Sequence, residues 1–422
     1  MPPNEAPQFW SAWVCHLEAE TAAVRAAEQV VRRAAGTPID VVFVFVSAPL
    51  APASEVAIAA IHDRLHPKAL IGVSTAAVIS DGIEFEREPA VSILAASLPG
   101  CLIHTFSDRD VPAVPEPLDQ ATIDELRRAV FPQGREAVAM LLVDPYSVPM
   151  HRLLPAFNAA RPNAETLIVG GMASGGDAPG QCAVYHAGQV RRHGFVGVSI
   201  AGPITAHAIV SQGCRPIGQP MVITKAKGNV ILGLGGLPAL DVVRETIDSL
   251  SESDAAAART GLMIGRVVSE YRDRFGRDDF LIRNLLGAEE TTSAIAVSDL
   301  VRVGQTVQFH IRDPRTAKED LALLLDAQQL HAAPLGGVLV TCERRGSGFF
   351  GTPNHDAAKV ARAFASTVSA ERRAKGGVEI DPQEPTIPIA GFYASSEIGP
   401  IAGAAQMHSQ TACLLLFRPK SD

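Results

Sequence analysis

GFYASSEIGPIAG (391–403) ends an apolar run, IPIAGFY, and packs Ser395, Ser396, Glu397 and three glycines into a few positions. A glycine-bracketed carboxylate directly after a buried strand lets backbone amides approach a ligand, because glycine lacks a Cβ and tolerates φ > 0. Two earlier stretches, LIGVSTAAVISDG (70–82) and LIVGGMASGGDA (167–178), also run from apolar residues into Gly and then Ser or Thr. Their surroundings match in order. VVFVFVSA (41–48), VAIAAIHDRL (56–65) and LIGVSTA are followed by AVSILAASL (90–98). AVAMLLVDP (137–145), MHRLLPAFNAA (150–160) and LIVGGMAS are followed by GFVGVSIAG (194–202). GGVLVTCE (336–343), DAAKVARAFA (356–365) and IPIAGFYAS are followed by TACLLLF (411–417). Each set is an apolar run of strand length, a segment with helical spacing, a second apolar run ending at small residues, and a further strand. The pattern predicts three degenerate βαββ units. True duplication and the general self-similarity of α/β chains both account for it.

With 422 residues, 47% of them hydrophobic and 19% charged, the chain can bury two sizeable cores. The opening MPPNEAPQFWSAW has no basic start leading into an apolar stretch, and no segment holds eighteen uninterrupted apolar residues. Neither a signal peptide nor a membrane span is expected, and a cytoplasmic protein is. Cys15, Cys101, Cys182, Cys214, Cys342 and Cys413 lie far apart without a CxxC pair, which argues for reduced thiols over a zinc finger or disulfide framework. A formal charge of −8, with basic residues only in small groups such as Arg191-Arg192, Arg344-Arg345 and Arg372-Arg373, offers no phosphate-tracking stripe, so nucleic acid is not an expected partner.

Asp108 to Leu118 (DRDVPAVPEPL) is proline-rich and acidic and reads as a surface connection. Closely spaced Gly and Pro between about Gly202 and Pro220 mark a domain junction. Beyond it, MVITKAKGNVILGLGG predicts a hairpin turning at Gly228-Asn229, Pro238 starts a helix, and Asp313 or Thr316 caps the helix TAKEDLALLLDA. Residues 371–387, ERRAKGGVEIDPQEPTI, read as a charged excursion within the third unit.

The order of segments resembles the paired FIST_N and FIST_C domains of bacterial sensory proteins and some eukaryotic F-box proteins, over nearly the whole chain. The motifs that carry the resemblance are GVSTAAVISDGIEFE (72–86), VGGMASGG (169–176), SQGCRPIG (211–218), GNVILGLGGLPAL (228–240), VRVGQTVQFHIRD (301–313), GSGFFGTPNHD (346–356) and GFYASSEIGP (391–400). The implied organisation is a FIST_N-like domain over 1–205 and a FIST_C-like domain over 206–422, an α/β protein with mixed sheets covered by helices. The implied function is sensing of a small ligand, an amino acid or related metabolite, without a catalytic residue set. One departure stands out: the family usually has Cys-x-Gly-Arg-Gly where this chain has Cys342-Glu343-Arg344-Arg345-Gly346. The resembling segments fill the chain, so a signalling output is expected to come through a partner protein.

The residues expected to hold the ligand are Cys342, Arg345, Asn354, His355, Asp356, Ser395, Glu397 and His408, all at strand ends or in loops. Arg345 and glycine amides would take a carboxylate, and Glu397 or Asp356 an ammonium. The GVST and GGMASGG turns would complete the pocket. Two plainer readings stand beside this: Asn354-His355-Asp356 as a helix start, and Glu397 bonded only to nearby loop amides. Cys342 with His355 or His408 and Glu397 has the residue types of a thiol enzyme, but its spacing adds no support and no catalytic residue is assigned. In the carboxyl-terminal domain, no HxH or HxxxH pair suggests a metal. GLGGLPA (233–239) lacks the GxGxxG spacing of a dinucleotide loop, so no cofactor is expected. A protein-interaction platform without a small ligand is the alternative function.

Overall fold

The computed structural model describes residues 6–271, 274–276, 279–365, 367–368 and 387–420. The excursion expected over 371–387 falls outside them, Ile387 excepted. The chain is a mixed α/β protein that forms two compact units. One comprises Met1–Val210, Ala322–Met407 and Ala412–Asp422, and the other Ser211–Leu321 and His408–Thr411.

The βαββ pattern is realised three times in the larger unit. In the first repeat, strands Val41–Ser47 and Ala69–Thr75 run parallel, linked through helix Ser54–Leu65, and Ala90–Ser97 returns antiparallel beside Val41–Ser47. In the second, Glu136–Val143 and Leu167–Met172 are parallel, linked through helix Met150–Ala160, and Phe195–Ala201 returns. In the third, Gly336–Cys342 and Ile389–Ala394 are parallel, helix His355–Arg362 lies between them in sequence, and Thr411–Pro419 returns. Each returning strand also pairs with one that precedes its repeat, Gln8–Cys15, Leu102–Ser107 or Ile204–Gln212.

A short hairpin follows the second strand of each repeat and completes the sheet of a different repeat. Val78–Ser80 and Ile83–Phe85, from the first, pair onto Ile389–Ala394 of the third, with Phe392 opposite Val78. Val184–His186 and Gln189–Arg191, from the second, pair onto Ala69–Thr75 of the first, with Val184 opposite Val73. Glu397–Ile401 and Ala404–His408, from the third, pair onto Leu167–Met172 of the second, with Glu397 opposite Gly171. The exchange closes a cycle and gives three six-stranded sheets of identical strand order.

The repeats share a steric requirement as well. Gly72, Gly170 and Gly391 occupy the same register, opposite Val44, Leu141 and Leu339 of the neighbouring parallel strand. A Cβ on any of the three would collide with the carbonyl oxygen of that partner. Residues from all three sheets meet in a common core, including Phe43, Phe45, Met140, Leu142, Val338, Val340 and Phe392. The Phe45 and Phe392 rings stack at 5.1 Å, as do those of Phe9 and Phe417. Full burial of one such side chain is worth about 1.5–3 kcal/mol. Helices cover other strand residues: Ala22, Ala23, Ala26 and Ala27 pack with Val42 and Val44, while Leu153 and Phe157 pack with Leu141 and Phe195.

The smaller unit contains a seven-stranded antiparallel sheet, with Thr306–Arg312 between Cys214–Lys227 and Leu262–Val267. The predicted hairpin is present, with Lys227 opposite Val230 across Gly228-Asn229. Pro238 precedes helix Ala239–Asp248. Asp313 caps helix Pro314–Gln328 by accepting from the Arg315 amide at 2.9 Å. Among the described residues, no helix is long and apolar enough to cross a membrane.

Candidate functional site

The glycine- and serine-rich turns after the three second strands are knotted together by hydrogen bonds. The Thr75 hydroxyl donates to the Tyr393 carbonyl at 2.7 Å, and the Ser174 hydroxyl donates to the same oxygen. The Ala76 amide donates to Ser174 Oγ at 2.9 Å, and the Ser395 hydroxyl donates to the Ala173 carbonyl at 2.8 Å. Residues 75, 174 and 393–395 belong to different repeats, so the knot joins all three. Thr75 and Ser174 are buried, and both hydroxyls are hydrogen-bonded.

A pocket of about 400 Å³ opens beside this knot, at the carboxyl ends of the parallel strands Val41–Ser47 and Ala69–Thr75. Crevices at such strand ends are common ligand sites in α/β proteins. Ser74 and Ser174 line it, together with Gly175, Gly180 and Gln181 from the loop after Leu167–Met172. Ala48, Ala51 and Pro52, from the turn of 3₁₀ helix after Val41–Ser47, form an apolar wall. Gly175 has φ +81°, and a Cβ there would crowd Ala48 and the Ala76 backbone.

The charged group lining the pocket is Arg192, whose side chain is 34% exposed. One guanidinium nitrogen, Nη2, lies 3.1 Å from Glu55 Oε1 and 3.4 Å from the Ala51 carbonyl. Its Nε and Nη1 meet no acceptor among the described residues. Ser74 Oγ accepts from the Ala183 amide at 2.8 Å, which leaves its proton to donate. Beside the loop, burial pushes the Cys182 thiol up to about 11, so it remains protonated and non-nucleophilic at neutral pH.

The residues expected from sequence separate into two groups. Arg345, Asn354, His355 and Asp356 come together. Arg345 Nε lies 2.7 Å from Asp356 Oδ2, both side chains are 1% exposed, and Asp356 Oδ1 is 2.9 Å from His355 Nδ1. The His355 ring stacks on Phe350 with centroids 3.9 Å apart. Cys342 is buried, and its carbonyl accepts from the Arg345 amide at 2.8 Å. Burial opposes charge on Asp356, but the Arg345 guanidinium and the His355 contact outweigh it and hold the carboxyl below its usual range. Ser395 and Glu397 lie in the strand and turn that meet the second repeat, and Glu397 is completely buried. His408 is buried and ends Ala404–His408, the strand that pairs with Glu397–Ile401.

The Arg345 group includes two residues that sequence reading did not single out. Glu84, on the exchanged hairpin, accepts from the Ala357 amide at 2.9 Å and from the Tyr393 hydroxyl at 3.0 Å. Helix His355–Arg362 therefore begins where the helix-start reading puts it, yet its amide is capped by a carboxylate from another repeat. Asn354 adopts φ +60° and makes no side-chain cap; its Oδ1 accepts from the Glu84 amide at 2.8 Å. Glu86 accepts from the Ser347 amide and hydroxyl at 2.7 and 2.9 Å. Burial chiefly, then the nearby Asp356 and Glu86 charges, raise the Glu84 carboxyl to about 7 against the opposing Ala357 and Tyr393 hydrogen bonds. Both glutamates lie within GVSTAAVISDGIEFE, the available signal. The pocket residues Gln181 and Arg192 had a weaker one, their nearness to Gly175, Gly176 and Gly180.

Comparison with known proteins agrees with the motif pattern. The Mycobacterium tuberculosis protein Rv0628c is 38% identical over 365 residues, covering 85% of this chain and 86% of its own. The Mycobacterium bovis protein Mb0898c is 35% identical over 402 residues, covering 95% and 96% respectively. A crystal structure of a cyanuric acid hydrolase from A. caulinodans aligns over 99% of this chain and 100% of its own, at 10% identity and a TM-score of 0.32, a likeness too low to carry an argument. The FIST N domain model matches residues 40–237 and the FIST C domain model residues 239–400, and the chain belongs to the FIST family.

Proposed function

We propose that this FIST-family chain is a sensory module that binds a small metabolite in the pocket lined by Ser74, Ser174 and Arg192 and signals through a partner protein. The observation that carries this reading is the position of the pocket. Ser174 both lines it and belongs to the hydrogen-bonded knot that joins the three repeats. A ligand that favours one arrangement of that knot over another would shift the population of arrangements of the larger unit, the minimum a sensor needs. In this reading Ser395 and Glu397 support the second strand beneath the pocket, and the cluster around Arg345 and Asp356 holds the exchanged hairpin in place.

The test is thermal stability of the purified chain across a library of amino acids, organic acids, amines and nucleosides. A ligand at 100 times its dissociation constant adds about 2.7 kcal/mol. One chemical class is expected to raise Tm, and Ala48→Phe, which sets a ring in the pocket, is expected to abolish the shift while the protein remains folded. A flat response from folded protein, or a shift that survives Ala48→Phe, would overturn the proposal.

A further inference from the structure

We infer that the pocket selects a small organic acid and holds its carboxylate on Arg192, favouring hydroxy or keto acids over amino acids. The inference rests on the proposed ligand-binding role of the same pocket and adds the chemical class. Among the described residues that line the pocket, Arg192 is the charged one and none is Asp or Glu. Glu55 engages Nη2 from outside the lining, which steadies the guanidinium and leaves Nε and Nη1 without an acceptor among the described residues. Nε–H and the Nη1 N–H groups point from different edges of the guanidinium, so a carboxylate would take one charge-assisted hydrogen bond, from either nitrogen.

The remaining walls suit the rest of such a molecule. Ser74 also lines the pocket and retains a hydroxyl proton, which a hydroxyl or keto oxygen of the ligand can accept. Ala48, Ala51 and Pro52 offer apolar surface for a short carbon chain. An α-ammonium would find no carboxylate in the lining, and a desolvated, unpaired ammonium is costly. An amino acid would therefore lose affinity relative to the hydroxy acid of the same shape. Phosphate shares the attraction to Arg192, but it presents a tetrahedral array of oxygens where the pocket offers one cation and an apolar wall.

Ligand-detected NMR on the intact 422-residue chain tests this with matched probes: lactate, pyruvate, lactamide, alanine and inorganic phosphate. Lactate and pyruvate are expected to bind, with lactamide and alanine at least tenfold weaker. Arg192→Gln is expected to weaken lactate about tenfold or more, the scale of one charge-assisted contact. Glu55→Gln removes the neighbouring ion pair and keeps the cation, so it should retain lactate binding; a loss there equal to that in Arg192→Gln would assign Arg192 a merely structural role. Preference for lactamide, alanine or phosphate would overturn the assigned class while leaving a ligand pocket in place. If none of the probes binds, the organic-acid assignment fails, and the library screen with Ala48→Phe decides separately whether the pocket binds anything.

Discussion

Arg345 and Asp356 form an ion pair, 2.7 Å from Nε to Oδ2, with both side chains 1% exposed. Two charges so buried attract strongly but are costly to remove from water, so the pair is a weak source of net stability and a strong source of instability once broken. Asp356 also contacts His355, and the Arg345 guanidinium lies 5.4 Å from the Phe350 ring centre. Arg345→Ala is therefore expected to destabilise the protein by about 3–5 kcal/mol. Arg345→Ala with Asp356→Asn should recover part of the loss, because the uncompensated carboxylate is gone. Urea unfolding of both variants measures this, and equal destabilisation by the single and double variants would refute it.

Glu84 gives the protein a pH dependence of predictable sign. Its carboxyl titrates near 7 in the folded protein, against an ordinary value of 4.5. The folded state therefore binds the proton more tightly, and the stability this confers is complete below about pH 4.5 and lost as pH rises toward and through 7. The full shift corresponds to about 3 kcal/mol at most. Glu84→Gln retains an acceptor for the Ala357 amide and removes the titration. Unfolding measured from pH 5 to pH 8 should show a shallower loss of stability in Glu84→Gln than in the parent. Parallel pH profiles would show that Glu84 is not the group responsible.

The three equivalent glycines make a prediction about packing rather than charge. Gly72, Gly170 and Gly391 each face the carbonyl oxygen of a parallel neighbour at a distance no Cβ tolerates. Because the obstacle is backbone within a sheet, it cannot rotate aside, and each Gly→Ala change should cost about 3 kcal/mol or more. Gly287 supplies the contrast. It also lies in a strand, Phe280–Glu289, but a Cβ there meets nothing within 4 Å, and Gly287→Ala should be close to neutral. Tm values for the four variants check the contrast directly.

These glycines also show what a sequence reader can and cannot see. The βαββ order was legible because strand and helix periodicities are local, and the runs 41–48, 137–145 and 336–343 repeat them with the same small-residue endings. The helix start after Pro353 and the turn at Gly228-Asn229 were legible for the same reason. The partner of a short hairpin was not. Val78–Phe85 carries no mark that its edge will meet Ile389–Ala394, more than three hundred positions away, and Glu84 gains its chemistry from that meeting alone. Arg192 was visible only as half of a basic dipeptide, because the pocket wall it joins is built from residues 48–52, 74 and 174–181.

The cyclic hairpin exchange makes the larger unit interdependent. A fragment ending at Gly202 would hold the first two repeats complete in sequence, yet the strand Leu167–Met172 would lose its pairing with Glu397–Ile401. The hairpin Val78–Phe85 would lose Ile389–Ala394, and Phe45 and Phe9 would lose the rings of Phe392 and Phe417. The fragment would thus expose an apolar sheet edge and part of the common core, the condition under which strands pair between molecules. We expect it to aggregate or to lack a cooperative thermal transition, and co-expression with 203–422 to restore one. Cooperative unfolding of the isolated fragment at the Tm of the intact protein would mean that the exchanged hairpins contribute little and that each repeat is stable through its own βαββ contacts.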